Sequence, residues 1–295
     1  MKRSVLIYNL KSGKKRRKVE FLSRILSGLE GLGLSVSPCQ TKYRNHATEI
    51  ARKAAARGID VVVVWGGDGT LNEVVAGLVN TRTVMGVIPG GTVNVFAREV
   101  GIPTHFEMAM KILIDGSVVR IPVGIANDRP FLLMAGVGLD GEVSYQCEPR
   151  SHWGLSTIPF WVHGLRLLVT HSMAGIRIRV GEREIVATGF IAGKTRRYGP
   201  HYFLTPEANL REPKLDVVIF QGSNRRDYLR YLWGVLRKTH LQFPDVEHLQ
   251  TDRLSVATVD PGSCVRYQLD GEPIGLVPLT LGVCDKALSV ILPAG

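Results

Sequence analysis

The stretch that decides the fold reads Asp60-Val61-Val62-Val63-Val64-Trp65-Gly66-Gly67-Asp68-Gly69-Thr70-Leu71-Asn72-Glu73. Its apolar, mostly β-branched start predicts a buried parallel strand, and the glycines that follow predict a tight turn. Thr70 and Glu73 have the spacing of a capping box, which predicts the start of a helix. In an open α/β sheet such a loop lies beyond the carboxyl end of its strand, where helix N-termini bind anions. The loop is therefore predicted to bind phosphate.

Asp68 is the only functional side chain within this Gly-Gly-Asp-Gly loop. A carboxylate among phosphate-binding glycines repels its ligand unless a divalent cation or an acidic proton lies between them. This favours a metal-binding or general-base role. Asp-Gly is also a common turn dipeptide, so a purely structural turn is the alternative, and the loop alone does not separate the two.

Composition indicates two domains and anionic partners. The 295 residues carry 37 Lys and Arg against 26 Asp and Glu, a net charge of +11, which favours acidic lipid headgroups, nucleotides or nucleic acid. The basic run at residues 14–18 opens an amphipathic pattern, so it indicates a solvated helix start rather than nucleic-acid recognition. The sequence predicts a cytoplasmic protein. Its four cysteines are widely spaced without a C-x-x-C pair, and it shows no signal peptide and no apolar stretch of transmembrane length.

Strand and helix patterns alternate over about the first 115 residues. Strands are predicted at Arg3–Tyr8, Leu32–Ser37 and Val84–Ile88 beside the central one, and a helix at Asn45–Arg57. Regular alternation predicts an α/β domain, residues 1–120, with a doubly wound and mostly parallel sheet. Because no G-x-G-x-x-G follows the first strand and no P-loop is present anywhere in the sequence, phosphate would need to be bound by a different loop.

Beyond Asp115 short extended runs separated by turn residues predict a β-rich, antiparallel, sandwich-like domain over residues 121–295. The runs are Arg129–Val137, Ile176–Val180, Ile185–Ala192, Leu215–Phe220, Leu254–Val259, Val265–Leu269 and Leu288–Leu292. Helices are expected near Ile158–Thr170 and Asp227–His240, the domain boundary lies between Gly116 and Gly124, and the C-terminus is expected to return to the first domain. The aromatic stretch Trp153–Val169 suits either a membrane interface or a helix packed on the sheet.

Three motifs together resemble the diacylglycerol kinase catalytic family. They are the Gly66–Glu73 loop, Pro89–Arg98 with its G-T-x-N-x-F-A-R pattern, and Asp270-Gly271-Glu272 near the C-terminus. The similarity is strongest to bacterial soluble lipid kinases, relatives of the sphingosine and ceramide kinases. The loop Asn9–Lys14 and Thr41 followed by His46-Ala47 also fit, so the resemblance covers nearly the whole chain.

The resemblance implies an ATP-dependent kinase with nucleotide in a cleft between two domains, and a lipid alcohol such as diacylglycerol received by the second. Asp68 would belong to the Mg²⁺-ATP centre, Glu272 would accept the proton of the substrate hydroxyl, and Asp270 would assist or bind metal. The implied ATP contacts are Asn9, Leu10, Lys11, Ser12, Gly13, Thr41, Gly66, Gly67, Asp68, Gly69, Thr70, Leu71, Asn72 and Thr92. Asn94 and Arg98 either contact ligand or belong to a helix that starts after Thr92.

The chain departs from the family at two places. The first loop has Asn9-Leu10 where the family often has Asn-Pro. Bacterial members hold a second, structural Mg²⁺ at an Asp-Gly turn, and the matching turn here contains Glu212-Pro213. The Glu212 carboxylate and the carbonyls of Asn209 and Lys214 are the predicted ligands of this ion, and Asp216 is either a substitute ligand or an ordinary strand residue.

The sequence therefore predicts a peripheral, membrane-acting kinase that transfers the γ-phosphoryl group of ATP to a lipid hydroxyl. An anionic membrane surface is an expected partner, nucleic acid is not, and homodimer formation is left open. The alternatives are an NAD or sugar kinase of the same superfold, and a nucleotide- or nucleic-acid-binding module without catalysis.

Overall fold

The computed structural model describes residues 2–10, 18–147, 167 and 173–294. The chain divides into two compact units. The first contains residues 1–123 and 285–295, and the second contains residues 124–284. Two strands, β5 (Ser117–Ala126) and the last strand of the chain, run from one unit into the other.

Strands and helices alternate in the first unit. The order is β1 (Lys2–Tyr8), α1 (Lys18–Gly31), β2 (Leu34–Gln40), α2 (His46–Ala56), β3 (Val61–Gly66), α3 (Asp68–Leu78), β4 (Val84–Pro89), α4 (Val95–Glu99) and α5 (Phe106–Asp115). The strands pair in the order β2-β1-β3-β4, all parallel. Val290 of the last strand pairs with Met85 of β4, also in parallel.

The central strand β3 is buried on both faces, which explains its continuous apolar sequence. On one face Val63 and Trp65 pack with Ile25 of α1 and Met110 of α5, while Val62 and Val64 point to the other face and are equally buried. Helices therefore cover the sheet as a doubly wound fold requires, and the predicted α/β class is confirmed.

Antiparallel strands dominate the second unit. They are β6 (Arg129–Phe131), β7 (Met134–Val137), β8 (Ile176–Val180), β9 (Arg183–Ala187), β10 (Gly189–Gly193), β11 (Arg197–Tyr198), β12 (Tyr202–Phe203), β13 (Leu215–Phe220), β14 (Val246–Thr251), β15 (Arg253–Thr258), β16 (Arg266–Leu269), β17 (Glu272–Leu276) and β18 (Leu279–Leu292). In the described part of this unit, they are joined by the helices α6 (Leu139–Cys147) and α7 (Arg225–Arg237) and by a 3-10 turn (His240–Gln242).

The second unit is a sandwich, as predicted. Six strands pair in the order β14-β13-β10-β7-β16-β17, and a second group pairs in the order β18-β15-β8-β9. Residues such as Phe190 and Val217 from the first group share one buried core with Ile178 and Leu281 from the second. Alternate residues of both groups face this core, which is the usual packing of two antiparallel sheets.

Two predicted strands differ from the structure. The run Arg129–Val137 is interrupted between β6 and β7, and the run Ile185–Ala192 splits between β9 and β10, because a chain that changes sheets must break its ladder. The helix expected at Ile158–Thr170 and the Trp153–Val169 stretch lie, apart from Leu167, outside the described residues.

The predicted capping box of Thr70 and Glu73 is wrong. Helix α3 begins earlier, with Gly67 as its N-cap and no side-chain cap. The Glu73 carboxylate instead accepts hydrogen bonds from the backbone N–H groups of Asn45 (2.8 Å) and Ala47 (3.0 Å), at the start of α2. Glu73 therefore stabilises a neighbouring helix, whose N-terminus offers it unpaired donors.

Candidate functional site

The carboxyl edge of the parallel sheet collects the described residues expected to contact ATP. Asn9 and Leu10 follow β1, Thr41 follows β2, residues 66–72 end β3 and open α3, and Thr92 follows β4. The Asn9 N–H donates to the Trp65 carbonyl at 3.2 Å, and the Thr41 N–H donates to the Tyr8 carbonyl at 2.9 Å. These bonds continue the strand ladder and align the loops at one edge. The expected contacts Lys11, Ser12 and Gly13 lie outside the described residues.

Two glycine-rich loops touch at this edge. The Gly90 N–H donates to the Gly66 carbonyl at 2.8 Å. A Cβ added at Gly91 would lie 2.6 Å from the Cα of Gly67, closer than real Cβ contacts allow. Side chains are therefore excluded where the loops meet, and the backbone of both is presented at the sheet edge.

The Asp68 carboxylate braces the same two loops. Its oxygens accept hydrogen bonds from the backbone N–H groups of Val95 at 3.0 Å and Phe96 at 3.1 Å, in the first turn of α4. Burial raises the pKa of Asp68, and the two backbone N–H groups and Arg98 oppose that shift. Asp68 and Gly69 are the first residues of α3, so the alternative of a plain Asp-Gly turn is wrong.

Asn94 holds the second loop in shape. Its side chain accepts from the Gly91 N–H at 2.9 Å and donates to the Gly91 carbonyl at 3.0 Å, while its backbone is left-handed with φ 52°. The helix expected after Thr92 is present as α4, with Val95 and Phe96 buried and Arg98 exposed. Asn94 therefore acts here on the loop itself.

The residues at this edge fit a magnesium–phosphate ligand. A carboxylate offers about four lone-pair positions, and the two hydrogen bonds use one on each oxygen of Asp68. The first-turn N–H groups of α3 have no acceptor within their own helix, which makes this end of the helix favourable for anions. Fixed carboxylate oxygens beside such donors suit a cation bound to a phosphate.

The Asp270-Gly271-Glu272 motif forms the turn between β16 and β17. Asp270 and Gly271 are both left-handed, with φ 52° and 86°. The Asp270 carboxylate accepts three backbone N–H groups, from Leu132 (2.8 Å), Leu133 (2.8 Å) and Met134 (2.9 Å). Asp270 thus ties the turn to the chain between β6 and β7. Glu272 is partly exposed and opens β17 opposite Leu269.

A hydrogen-bonded network connects this turn to Gln268, Asp140 and Tyr198, and the sequence did not predict it. The Gly271 N–H donates to the Gln268 side chain at 2.6 Å, and the Gln268 amide donates to Asp140 at 2.7 Å. The Tyr198 hydroxyl also hydrogen-bonds to Asp140. Burial raises the pKa of Asp140, opposed by these two bonds, and raises the pKa of Tyr198 well above its ordinary value. No local motif connects residues this far apart in the sequence.

The turn expected to hold a structural Mg²⁺ has different contacts. The Glu212 carboxylate accepts from the Asn209 side-chain amide at 2.8 Å. The carbonyls of Asn209, Glu212 and Lys214 accept hydrogen bonds from the Lys194 ammonium. A divalent ion does not fit among these carbonyls while the ammonium lies there.

Asp216 is a buried residue of β13, next to that turn. It accepts from the Glu207 N–H at 2.9 Å and hydrogen-bonds to His248. Burial raises the pKa of Asp216, and the His248 contact opposes the shift. Ligand atoms of Glu207, Asp216 and His248 lie within 4.8 Å of one another, a grouping that sequence spacing did not suggest.

Known proteins resemble the chain in both parts. Residues 3–126 match the diacylglycerol kinase catalytic domain family, and residues 134–292 match the family described as the YegS C-terminal NAD kinase beta sandwich-like domain. The diacylglycerol kinase of Bacillus subtilis is 29% identical over 99% of this chain and 97% of its own length. That of Staphylococcus carnosus is 29% identical over 99% and 95%.

Solved structures share the fold. The crystal structure of a diacylglycerol kinase from Bacillus anthracis has a TM-score of 0.75 at 21% identity, covering 99% of this chain and 97% of that one. Another structure from the same organism has a TM-score of 0.81 at 23% identity, covering 99% and 95%.

The fold and its motifs define a two-unit phosphotransferase with an alcohol group as acceptor. The chain belongs to the diacylglycerol kinase catalytic-domain family, in its form with a YegS-type C-terminal sandwich, and is a lipid kinase.

Proposed function

We propose that this lipid kinase transfers the γ-phosphoryl group of ATP to a hydroxyl of diacylglycerol or of a lipid with similar chemistry. The observation that carries the proposal is the position of the Asp68 carboxylate. Hydrogen bonds from the Val95 and Phe96 N–H groups fix it beside two touching glycine loops at the carboxyl edge of a parallel sheet. The diacylglycerol kinase relatives support the acceptor class.

The first unit is proposed to bind ATP. Its contacts are Asn9, Leu10, Thr41, Gly66 to Asn72 and Thr92, together with Lys11, Ser12 and Gly13. Phosphate oxygens would be bound by N–H groups at the start of α3, while Asp68 would hold Mg²⁺. Mg²⁺, when bound, would bridge and neutralise phosphate oxygens. Leu71 is 4% exposed, so its contribution is through its backbone.

The second unit is proposed to supply the base. Glu272 would accept the proton of the lipid hydroxyl, which makes the oxygen a better nucleophile. Asp270 would position Glu272, because its carboxylate already accepts three backbone N–H groups that hold the turn. Gln268, which is hydrogen-bonded to Asp140, stabilises the same turn by accepting the Gly271 N–H.

The test uses purified protein, labelled ATP, Mg²⁺ and mixed micelles that carry diacylglycerol, ceramide or a monoacylglycerol, with NAD and sugar phosphates as soluble acceptors. Asp68→Asn and Glu272→Gln are each expected to lower the turnover number by at least about 10²-fold. Asp128→Asn and Glu182→Gln change exposed carboxylates in turns and serve as controls. Label in NAD or sugar phosphate would replace this proposal with a soluble-substrate kinase, and near-normal turnover of Asp68→Asn would refute the site.

We also propose that the enzyme is cytoplasmic and binds anionic membranes through α7. Leu229, Trp233 and Leu236 lie at helical spacing on one face and are 48%, 56% and 47% exposed. The Arg237 guanidinium lies 4.6 Å from the centre of the Trp233 ring, and the exposed face also carries Arg225 and Arg226. An apolar stripe bordered by arginines complements an anionic bilayer surface.

This attachment does not require a membrane-spanning helix, and no helix within the described ranges is long and apolar enough to be one. Co-sedimentation with phosphatidylglycerol vesicles is expected to weaken with salt and to fall in Trp233→Ala. Val186→Ser changes an exposed apolar residue outside α7 and is the control. Unchanged sedimentation of Trp233→Ala would refute the α7 assignment. Loss of a dimer on size-exclusion chromatography of that variant would assign the face to a second copy instead.

A further inference from the structure

Lys194 is a buried cation. It follows β10, its side chain is 0% exposed, and its backbone N–H donates to the Leu133 carbonyl at 2.8 Å. Lysine is almost never fully buried unless its ammonium is partnered, because leaving water is costly for a charge. The partners of this side chain therefore decide what it does.

Three backbone carbonyls surround the ammonium. Lys194 Nζ donates to the carbonyl of Asn209 at 3.3 Å, to that of Lys214 at 3.0 Å, and to that of Glu212. An ammonium has three N–H donors and no acceptor, so three carbonyls match it, whereas a neutral amine has only two donors. The Glu212 N–H also donates to the Asn209 carbonyl at 3.1 Å, which closes the turn that presents these oxygens.

Converging backbone carbonyls are also ligands that hard cations prefer. The Lys194 ammonium lies at the point where the three oxygens converge, so a divalent ion there would meet a like charge at contact distance. The Glu212 side chain accepts from the Asn209 amide in an exposed position, and Glu212 contacts the ammonium through its backbone carbonyl.

We infer that Lys194 is the resident cation of the turn at residues 209–214, and that it takes the place of the structural Mg²⁺ expected there. The ammonium links the end of β10 to the residues that lead into β13. This link needs no ion from solution, so the fold of the second unit is independent of Mg²⁺. Any dependence of phosphoryl transfer on Mg²⁺ then comes only from the Mg²⁺ bound with the nucleotide.

The test is thermal unfolding of the full chain, with and without chelator. The wild-type melting temperature is expected not to change on addition of EDTA or of millimolar Mg²⁺. Lys194→Ala is expected to lower it by about 10 °C, because three buried carbonyls lose their donor. Millimolar Mg²⁺ or Ca²⁺ is expected to restore part of this loss by entering the vacated space.

Lys214→Ala is the matched control, because it removes an exposed ammonium from the same turn while leaving the Lys214 carbonyl in place. Equal melting temperatures for Lys194→Ala and Lys214→Ala would overturn the inference. So would a wild-type melting temperature that falls with EDTA and returns with Mg²⁺.

The wild-type measurement stands even if Lys194→Ala does not fold. Lys194→Met provides a second variant, since it keeps an unbranched apolar side chain but has no donor. It is expected to be destabilised and to gain nothing from divalent ions, because the side chain fills the space. A Lys194→Met protein as stable as the wild type would show that the ammonium contributes nothing and would refute the inference.

Discussion

Replacement of Asp270 separates a bracing role from a chemical one. One carboxylate oxygen accepts the N–H groups of Leu133 and Met134, and the other accepts that of Leu132. All three donor residues are at most 5% exposed, so water does not readily replace a lost acceptor. The stability of Asp270 variants should therefore follow the number of N–H groups left without a partner.

The magnitude follows from the bond count. Asp270→Asn can keep its carbonyl oxygen towards Leu133 and Met134, but its NH₂ group then faces the Leu132 N–H. Losing one bond to a charged acceptor costs about 2–3 kcal/mol. Asp270→Ala loses all three and is expected to cost about 5 kcal/mol, less than a simple sum because such terms are not additive.

Urea unfolding monitored by circular dichroism measures these free energies, and Asp260→Asn is an exposed control. Both Asp270 variants should also lower the turnover number with an unchanged KM for ATP, because Glu272 lies two residues further along the turn. If Asp270→Asn keeps wild-type stability but loses transfer, Asp270 acts in the chemistry and the bracing account fails.

Three further changes test other contacts. Gly91→Ala should cost about 2 kcal/mol or more and reduce ATP binding, because its Cβ would lie 2.6 Å from the Gly67 Cα. Glu73→Ala should cost about 1–2 kcal/mol in unfolding free energy, since two N–H groups at the start of α2 lose their acceptor. Burial lowers the pKa of His240 from its ordinary 6.5, so the unfolded chain binds more protons and stability should fall as pH drops below about 6.5. His240→Gln, which keeps a donor for the Leu204 carbonyl, should remove that part of the pH dependence.

Each change has a matched control. A Cβ at Gly31 meets no atom within 4 Å, so Gly31→Ala should be neutral. Glu30→Gln and His201→Gln alter exposed side chains of the same types. The close loop contact is refuted if Gly91→Ala behaves like Gly31→Ala, and the α2 cap is refuted if Glu73→Ala equals Glu30→Gln. A difference between wild type and His240→Gln that stays constant from pH 5 to about pH 7 would rule out titration of His240.

Sequence pattern predicted the fold well because each element is encoded locally. The apolar run Val61–Val64 is one continuous strand since both of its faces are buried, and alternating runs such as Ile176–Val180 are strands with one face in the sandwich core. The predicted strand boundaries were wrong where the chain changes sheets, at residues 132–133 and at Thr188. A run of apolar residues does not indicate which sheet it joins.

The family resemblance supplied the candidate ATP-binding residues as a group, and the described ones lie together because the carboxyl ends of parallel strands meet at one edge. The contacts that each of these side chains makes were not predictable from the sequence. Asp68 was expected to bind metal or act as a base, and the sequence did not indicate that it also accepts N–H groups 27 and 28 residues away. Glu73 was expected to cap its own helix and caps α2 instead.

The sequence by itself determined the alternation of strands and helices in the first unit, the two-part architecture and the position of the glycine loops, since periodicity and turn residues are local properties. Only the tertiary structure decided which polar groups satisfy one another. The Asp270 carboxylate binds backbone more than 130 residues away, and Lys194 binds carbonyls 15 to 20 residues away. Buried polar groups must find partners wherever folding brings donors and acceptors together, and no spacing in the chain records that pairing.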